Sequence, residues 1–145
     1  MKRILITLTA LFSLISMTSF ANDTKVSSKV EASFKNSFKT ATEVAWTAGE
    51  NFYRADFSMN GQVVAAYYNE AGEMMALTRN MSITQLPLSL QTSLKKAQEG
   101  YWISSLFEVA NEDGTSYYVT LENGDNKITL KSTGTDWTRF QKQWK

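Results

Sequence analysis

The sequence predicts an α+β fold: a tandem αβββ repeat whose two halves form one antiparallel sheet, with two helices packed on one face. Three observations lead to it. An amphipathic stretch with helical spacing begins at Val26, glycine turns separate β-rich runs, and the same order returns in the second half. One αβββ unit of about sixty residues has a thin core, so we expect both halves to share a single domain.

The first 21 residues, MKRILITLTALFSLISMTSFA, have the pattern of a secretory signal peptide. Two basic residues are followed by an apolar run from Ile4 to Ile15, and Ser19 to Ala21 supply a small-x-small cleavage site. The apolar run is shorter than the roughly 20 residues that span a bilayer. We therefore expect residues 1–21 to be removed and residues 22–145 to act as one periplasmic or secreted domain.

The first half, residues 26–80, opens with a predicted helix that ends near Thr42. Its apolar stripe consists of Val26, Val30, Phe34, Phe38 and Ala41. The run EVAWT is β-branched and aromatic and leads into a turn. The segments NFYRADFSM, QVVAAYY and EMMALTR then predict three strands of a meander, with a two-residue hairpin at Asn60-Gly61.

The second half, residues 85–132, repeats this order. Pro87 suits the first turn of a helix with the apolar stripe Leu90, Leu94 and Ala97. The strands are predicted at YWISSLFEVA, TSYYVTL and NKITLKS, and Gly114 stands 53 positions after Gly61. The tail, residues 133–145, predicts a short strand or helical turn that covers an edge of the sheet.

Composition excludes several classes of function. The chain has no histidine and no cysteine, which removes the usual general base, the Ser-His-Asp triad and most zinc or copper sites. Without the two basic residues of the signal region, 13 Lys and Arg stand against 14 Asp and Glu. This balance argues against nucleic acid and against a polybasic membrane surface. The clusters NEDG and ENGDN have turn chemistry rather than calcium-loop spacing, so we expect no metal and no cofactor.

Five motifs carry a resemblance to a known family: FKTATEVAW, YRADF, AYYNEAGE, LPLSLQTSL and YYVTLENG. Together they resemble the PepSY-like, β-lactamase-inhibitor-protein-like domains exported by Bacteroidetes-type bacteria. The resemblance covers essentially all of residues 22–145. It implies a curved sheet with helices on its convex side and an open concave face, and a role in periplasmic or extracellular binding, with peptidase or hydrolase inhibition among the functions. The motifs consist of core and turn residues, so the resemblance transfers no functional residue.

Strand alternation selects candidate residues for the open face. With Tyr53, Ala55 and Phe57 buried, and likewise Tyr117, Val119 and Leu121, the opposite face is predicted to carry Phe52, Arg54, Asp56, Tyr68, Trp102, Leu106 and Tyr118. Tyrosine, tryptophan and arginine often anchor protein interfaces, although such aromatics also serve as cross-strand pairs that stiffen a sheet.

Three functions follow from this face, in decreasing order of preference. The first is a non-enzymatic module, expected to be monomeric, that binds an unknown protein or peptide of the cell envelope. The second is a periplasmic carrier of a small ligand. The third is a hydrolase that uses carboxylates such as Asp56 and Glu108. In each Tyr-Tyr pair, one ring should fill the core and the other should face outward, and the strand register decides which.

Overall fold

The structure, a computed structural model, describes residues 25–144. One antiparallel sheet contains eight strands, and each strand pairs with its neighbours in the chain, so the spatial order is also the chain order. The elements are α1 (Ser28–Ser37), β1 (Thr42–Ala48), β2 (Tyr53–Met59), β3 (Gln62–Tyr68), β4 (Met74–Asn80), a 3₁₀ turn (Ile83–Gln85), α2 (Leu88–Ala97), β5 (Trp102–Asn111), β6 (Gly114–Glu122), β7 (Asn126–Ser132) and β8 (Thr138–Trp144). The predicted α+β class with one antiparallel sheet is confirmed. The predicted signal peptide lies outside the described residues.

Helix α1 starts at a polar cap and buries one side. The Ser27 hydroxyl accepts a hydrogen bond from the Val30 N–H at 3.4 Å, which satisfies one of the free amide groups of the first turn. Val30 and Phe34 are buried. The helix ends at Ser37, earlier than predicted, because Phe38 has non-helical dihedral angles. Phe38 still packs against the core from this turn, which explains why the apolar spacing suggested a longer helix.

Helix α2 follows Pro87 and buries Leu90 and Leu94. Its first residue, Leu88, stands 60 positions after Ser28, the first residue of α1. The first residues of β1 and β5 are also 60 positions apart. The spacing of 53 suggested by the glycine turns is therefore not the spacing of the elements.

The expected count of three strands after each helix is wrong, because four strands follow each one. The segment EVAWT lies within β1, and most of the C-terminal tail forms β8. Strand β8 pairs with β7 along Asn126 to Lys131. The Trp137 indole N–H donates a hydrogen bond to the Leu90 carbonyl at 3.1 Å, so the preceding loop is fastened to α2.

Each helix contributes residues to one buried cluster. Val30 and Phe34 of α1 pack with residues of β2 and β3: Ala55, Phe57, Val64, Ala66 and Tyr68. Leu90 and Leu94 of α2 pack with Leu86, Leu106, Val119 and Leu121. Between these clusters, β4 and β5 join through four residue pairs, one of which is the ion pair of Arg79 and Glu108 with 2.6 Å between Nη2 and Oε2.

Candidate binding surface

A third buried cluster contains no helical residue. Its members are Ala65, Tyr67, Ala76, Val109 and Tyr118, and it is flanked by Phe52, Met75, Phe107 and Phe140. We call this set the aromatic face. Its residues alternate along β3 with those that pack against α1, so they point to the opposite side of the sheet.

The first aromatic centre of this surface is Tyr67. Arg54 is its cross-strand partner on β2, and the guanidinium carbon lies 5.6 Å from the ring centroid. The Arg54 Nη2 also contacts the Asp56 Oδ1 at 2.6 Å, so the guanidinium is held by a carboxylate while it covers the ring. Phe52 lies beside Tyr67 with 6.0 Å between ring centroids. Burial raises the pKa of Tyr67, and the positive charge of Arg54 opposes that shift.

Tyr118 forms the second centre with the same kind of cover. Its ring stacks on Phe107 at 5.3 Å, and Phe140 meets it edge-on at 5.4 Å. The Lys131 ammonium lies 5.6 Å from the same ring. Each buried tyrosine of the aromatic face therefore has a cation over its ring, Arg54 in one half and Lys131 in the other.

Polar groups are also buried near the second centre. The Ser105 hydroxyl donates to the Thr120 hydroxyl at 3.2 Å, and the Thr120 and Thr129 hydroxyl oxygens are 3.4 Å apart. These groups satisfy one another across β5, β6 and β7. The Tyr118 hydroxyl, by contrast, is buried and has no hydrogen-bond partner among residues 25–144.

Four of the predicted surface residues are at least partly accessible. Trp102 is 51% exposed, which makes it the most accessible aromatic side chain of the predicted set. Phe52, Arg54 and Asp56 are half-buried, and Phe52 flanks the aromatic face as predicted for an open-face residue. No observation tests whether any of them binds a partner, so that role remains a prediction.

The expected position of Tyr68 on the open face is wrong. The Asn60-Gly61 hairpin pairs Met59 with Gln62, and this register sets Tyr68 opposite Tyr53. Tyr68 therefore joins the α1 cluster, where it is fully buried. The residue that points toward the aromatic face is Tyr67.

Leu106 is also misplaced by the sequence prediction. It is buried opposite Val119 in the α2 cluster. Trp102 and Leu106 are four positions apart and would share a face in a regular strand. The register shifts between Ile103 and Ser105, and the extra residue reverses the alternation.

Tyr118 lies in the aromatic face as predicted, yet it is only 1% exposed. Its neighbour Tyr117 packs partly buried against the α2 cluster. Within each Tyr-Tyr pair the two rings thus join clusters on opposite sides of the sheet. The expectation that one ring of each pair faces solvent is wrong, because Tyr67 and Tyr68 are both buried.

Sequence reasoning left the choice between Tyr67 and Tyr68 to the register, and it missed Phe107, Lys131 and Phe140. Some of these positions could have been predicted from the hairpin turns, because a two-residue turn sets the cross-strand partners of the residues on either side of it. The turn between Asn111 and Gly114 places Phe107 opposite Tyr118. Phe140 had no comparable signal, since the register shift in the β7–β8 pairing is not visible in the sequence.

The carboxylates considered for hydrolysis do not face one another. Asp56 shares a cross-strand row with Ala65, Thr78 and Val109, whereas Glu108 precedes Val109 and points to the other side. Each of the two carboxylates is also ion-paired with an arginine. Within residues 25–144, no group of three or more acidic side chains could hold a metal ion.

Comparison with known proteins gives matches among solved structures. No family model and no curated protein matches the chain. A BLIP-like protein from Bacteroides fragilis is 18% identical, with a TM-score of 0.71 over 83% of this chain and 86% of its own. A DUF2874 family protein from Bacteroides uniformis is 19% identical, with a TM-score of 0.74 over 83% and 90%. A proposed periplasmic protein from Bacteroides eggerthii is 16% identical, with a TM-score of 0.72 over 83% and 89%.

These matches confirm the resemblance found in the sequence at the level of fold. The structural neighbours are BLIP-like and DUF2874 proteins of Bacteroides, and each shares most of its length with this chain. At this level of identity the likeness concerns the fold alone.

Proposed function

We propose that the protein is an exported, non-enzymatic binding module that recognises a protein or peptide partner through the aromatic face, with peptidase or hydrolase inhibition among the functions of such a module. The observation that carries the proposal is one cluster with two aromatic centres and no helical residue, with the half-exposed Trp102 on the same strand as Phe107. Aromatic rings covered by cations have the composition of interface anchors. The BLIP-like fold fits the same class of function.

We further infer that α1 and α2 cover the same face of the sheet. Cross-strand partners share a face, and Ala66 of the α1 cluster is opposite Leu77, which is in turn opposite Ala110. Ala110 has the same alternation along β5 as Leu106 of the α2 cluster. This row supports a helical face that is continuous across both halves and leaves the aromatic face for a partner.

We infer that the aromatic face lies on the concave side of the sheet. Tyr118 on β6 and Phe140 on β8 are separated by strand β7, so their backbones are two strand spacings apart, about 10 Å. Their ring centroids are nevertheless 5.4 Å apart. Side chains that converge over an intervening strand support curvature toward that side. The equal spacing of 60 between the helices and between the first strands supports a tandem repeat of αββββ halves.

Export is part of the proposal. Residues 1–21 have the signal-peptide pattern, and a structural neighbour is a proposed periplasmic protein. No helix in the described part of the chain is long and apolar enough to cross a membrane. N-terminal sequencing of protein recovered from the cell envelope should give a first residue near Asn22, and an intact Met1 would contradict processing.

The binding proposal is tested by capturing a partner from envelope extract on the immobilised protein. Trp102→Ala should abolish capture of the partner seen with the wild type, while Trp144→Ala should not. Trp144 is the matched control because it is also tryptophan and is 72% exposed, yet it lies on edge strand β8 outside the aromatic face. Both variants should melt like the wild type. Equal capture by both variants would show that Trp102 takes no part in recognition and would overturn the proposal.

Tyr118→Ala is unsuitable for this purpose, because Tyr118 is a fully buried member of the core. The small-ligand alternative has one supporting observation, the buried Tyr118 hydroxyl without a partner. Native mass spectrometry of the exported protein distinguishes the two. A bound small molecule lost in Tyr118→Phe would favour the carrier, and the unliganded mass would favour the partner module.

A further inference from the structure

An open groove runs between α1 and the edge strand β1, away from the aromatic face. It encloses about 560 Å³ and has an aromatic floor formed by Phe34, Phe38 and Trp46. Phe34 contacts both other rings, each with 5.3 Å between centroids. The floor is therefore part of the aromatic cluster that α1 forms with the sheet.

Strand β1 presents an unpaired backbone beside this groove. Among residues 25–144, β1 pairs only with β2, so its outer side carries free N–H and C=O groups. The beginning of the strand is irregular, with a register shift between Thr42 and Ala45 and a positive φ at Glu43. From Ala45 to Ala48 the pairing is regular, so this stretch offers a short template for one more strand.

The charges at the groove favour an acidic occupant. Its lining includes two lysines, Lys35 and Lys39, against one carboxylate, Glu31. Glu31 is within 3.4 Å of Lys35 and so compensates that charge. No contact of Lys39 with a carboxylate is found among the described residues, and its side chain is exposed. One uncompensated cation therefore stands at the helix side of the groove.

We propose that this groove binds an extended acidic peptide that adds to β1 as an outer strand. The peptide backbone would pair with Ala45 to Ala48. Every second side chain would point toward α1, where apolar groups contact Phe38 and Trp46 and a carboxylate contacts Lys39. This surface is independent of the partner face proposed above, because neither α1 nor β1 contributes a residue to the aromatic cluster.

The probe is a fluorescein-labelled peptide of about seven residues, which is a common strand length. Its even positions are threonine, and its odd positions are valine and glutamate in turn. Anisotropy with the purified protein should show saturable binding. Lys39→Glu should weaken binding by about threefold to tenfold, the range expected for reversing one surface contact. The same probe with lysine in place of glutamate should bind the Lys39→Glu variant better than the wild type.

Two controls make the result specific. Lys95→Glu changes a lysine in the last turn of α2, away from the groove, and should leave probe binding unchanged. Trp102→Ala changes the exposed tryptophan on the strand of Phe107, outside the groove, and should also leave probe binding unchanged, so the two proposed surfaces can fail separately. Circular dichroism of each variant verifies that the helices remain folded.

Backbone methylation tests strand addition itself. Only alternate N–H groups of an added strand point toward β1, so methylating one set of amides should abolish binding while methylating the other set should not. Equal binding of the two methylated probes would overturn strand addition. Absence of saturable binding of the probe would overturn the proposal. If the probe does not bind but a second copy of the chain, or a peptide of residues 4–15, binds in the groove, the proposed acidic occupant is wrong.

Discussion

The Trp137 indole N–H donates a hydrogen bond to the Leu90 carbonyl across 47 positions of sequence, at 3.1 Å. Trp137 lies in the loop between β7 and β8, and Leu90 is fully buried in α2. The Ser89 hydroxyl donates to the Gly134 carbonyl in the same region at 3.3 Å. These two hydrogen bonds connect the loop between β7 and β8 to α2.

Trp137→Phe should lower the free energy of unfolding by about 1–2 kcal/mol, because the variant loses this hydrogen bond and part of the buried ring. Urea unfolding followed by circular dichroism measures the change. Trp144→Phe is the control and should stay within about 0.5 kcal/mol of the wild type, since Trp144 is largely exposed. Equal changes for the two substitutions would show that the hydrogen bond between Trp137 and Leu90 contributes nothing to the free energy of unfolding.

Tyr68 should make the protein sensitive to alkaline pH. Burial raises the pKa of Tyr68 to about 12 from an ordinary value of 10.0. The unfolded chain therefore releases the proton first, so the stabilisation present below pH 10 is lost as pH rises toward about 12. Melting temperatures measured across this range should fall for the wild type and fall less steeply for Tyr68→Phe.

The hydroxyl of Tyr68 is buried without a hydrogen-bond partner among the described residues. Tyr68→Phe should therefore be neutral or stabilising at pH 7, since it removes an unsatisfied polar group from the core. Tyr53→Phe, the cross-strand neighbour, serves as control and should retain the steep alkaline decline. A destabilised Tyr68→Phe at neutral pH would imply that the hydroxyl has a partner.

Gly72 should be harder to replace than Gly100, which has a similar positive φ. Gly72 has a φ of +85°, and a Cβ there would lie 3.1 Å from the Lys29 carbonyl oxygen of α1. Gly72→Ala should cost about 2 kcal/mol, because backbone strain and a close contact with the helix add together. Gly100→Ala is matched in φ at +79° but meets nothing within 4 Å, so thermal unfolding should show only about half the loss. Equal losses would mean that the turn can move away from α1.

The ion pair at the junction of β4 and β5 should matter more than the surface pair on α1. Arg79→Met leaves the Glu108 carboxylate, which is only 18% exposed, without its ionic partner, and should cost about 1–2 kcal/mol. Arg79→Met combined with Glu108→Leu should recover part of that loss. Lys35→Met removes the exposed pair with Glu31 and should cost under about 0.5 kcal/mol by chemical denaturation. A double variant no better than Arg79→Met would show that burial of the charge is not the cause.

The sequence predicts the elements with strong local signals. Asn60 and Gly61 have φ values of +53° and +75°, as the hairpin signal required, and Leu90 and Leu94 are buried as their helical spacing predicted. The fold class follows from these signals because turns and apolar periods are local properties. The tail that forms β8 was predicted only as a short strand or a helical turn, because its polar composition gives no alternation and its place depends on pairing with β7.

The candidate surface depends on register more than on residue type. Tyr67 and Tyr68 are chemically identical, and only the hairpin register decides which one lies over Arg54. Leu106 shows the reverse case, because the register shift between Ile103 and Ser105 changed the face of the residues that follow it. A single inserted residue in a strand is a tertiary feature, and neither composition nor spacing reveals it.

The order of the sheet has a consequence for folding kinetics. All seven strand pairings join neighbours in the chain, so no strand must wait for a distant segment before it finds its partner. Such a topology has low contact order, which favours rapid folding and lets each hairpin form on the one before it. The slowest closures should then be the contacts that span a whole half, such as Trp137 with Leu90. Attachment of the β7–β8 loop to α2 would therefore come after the strand pairs have formed.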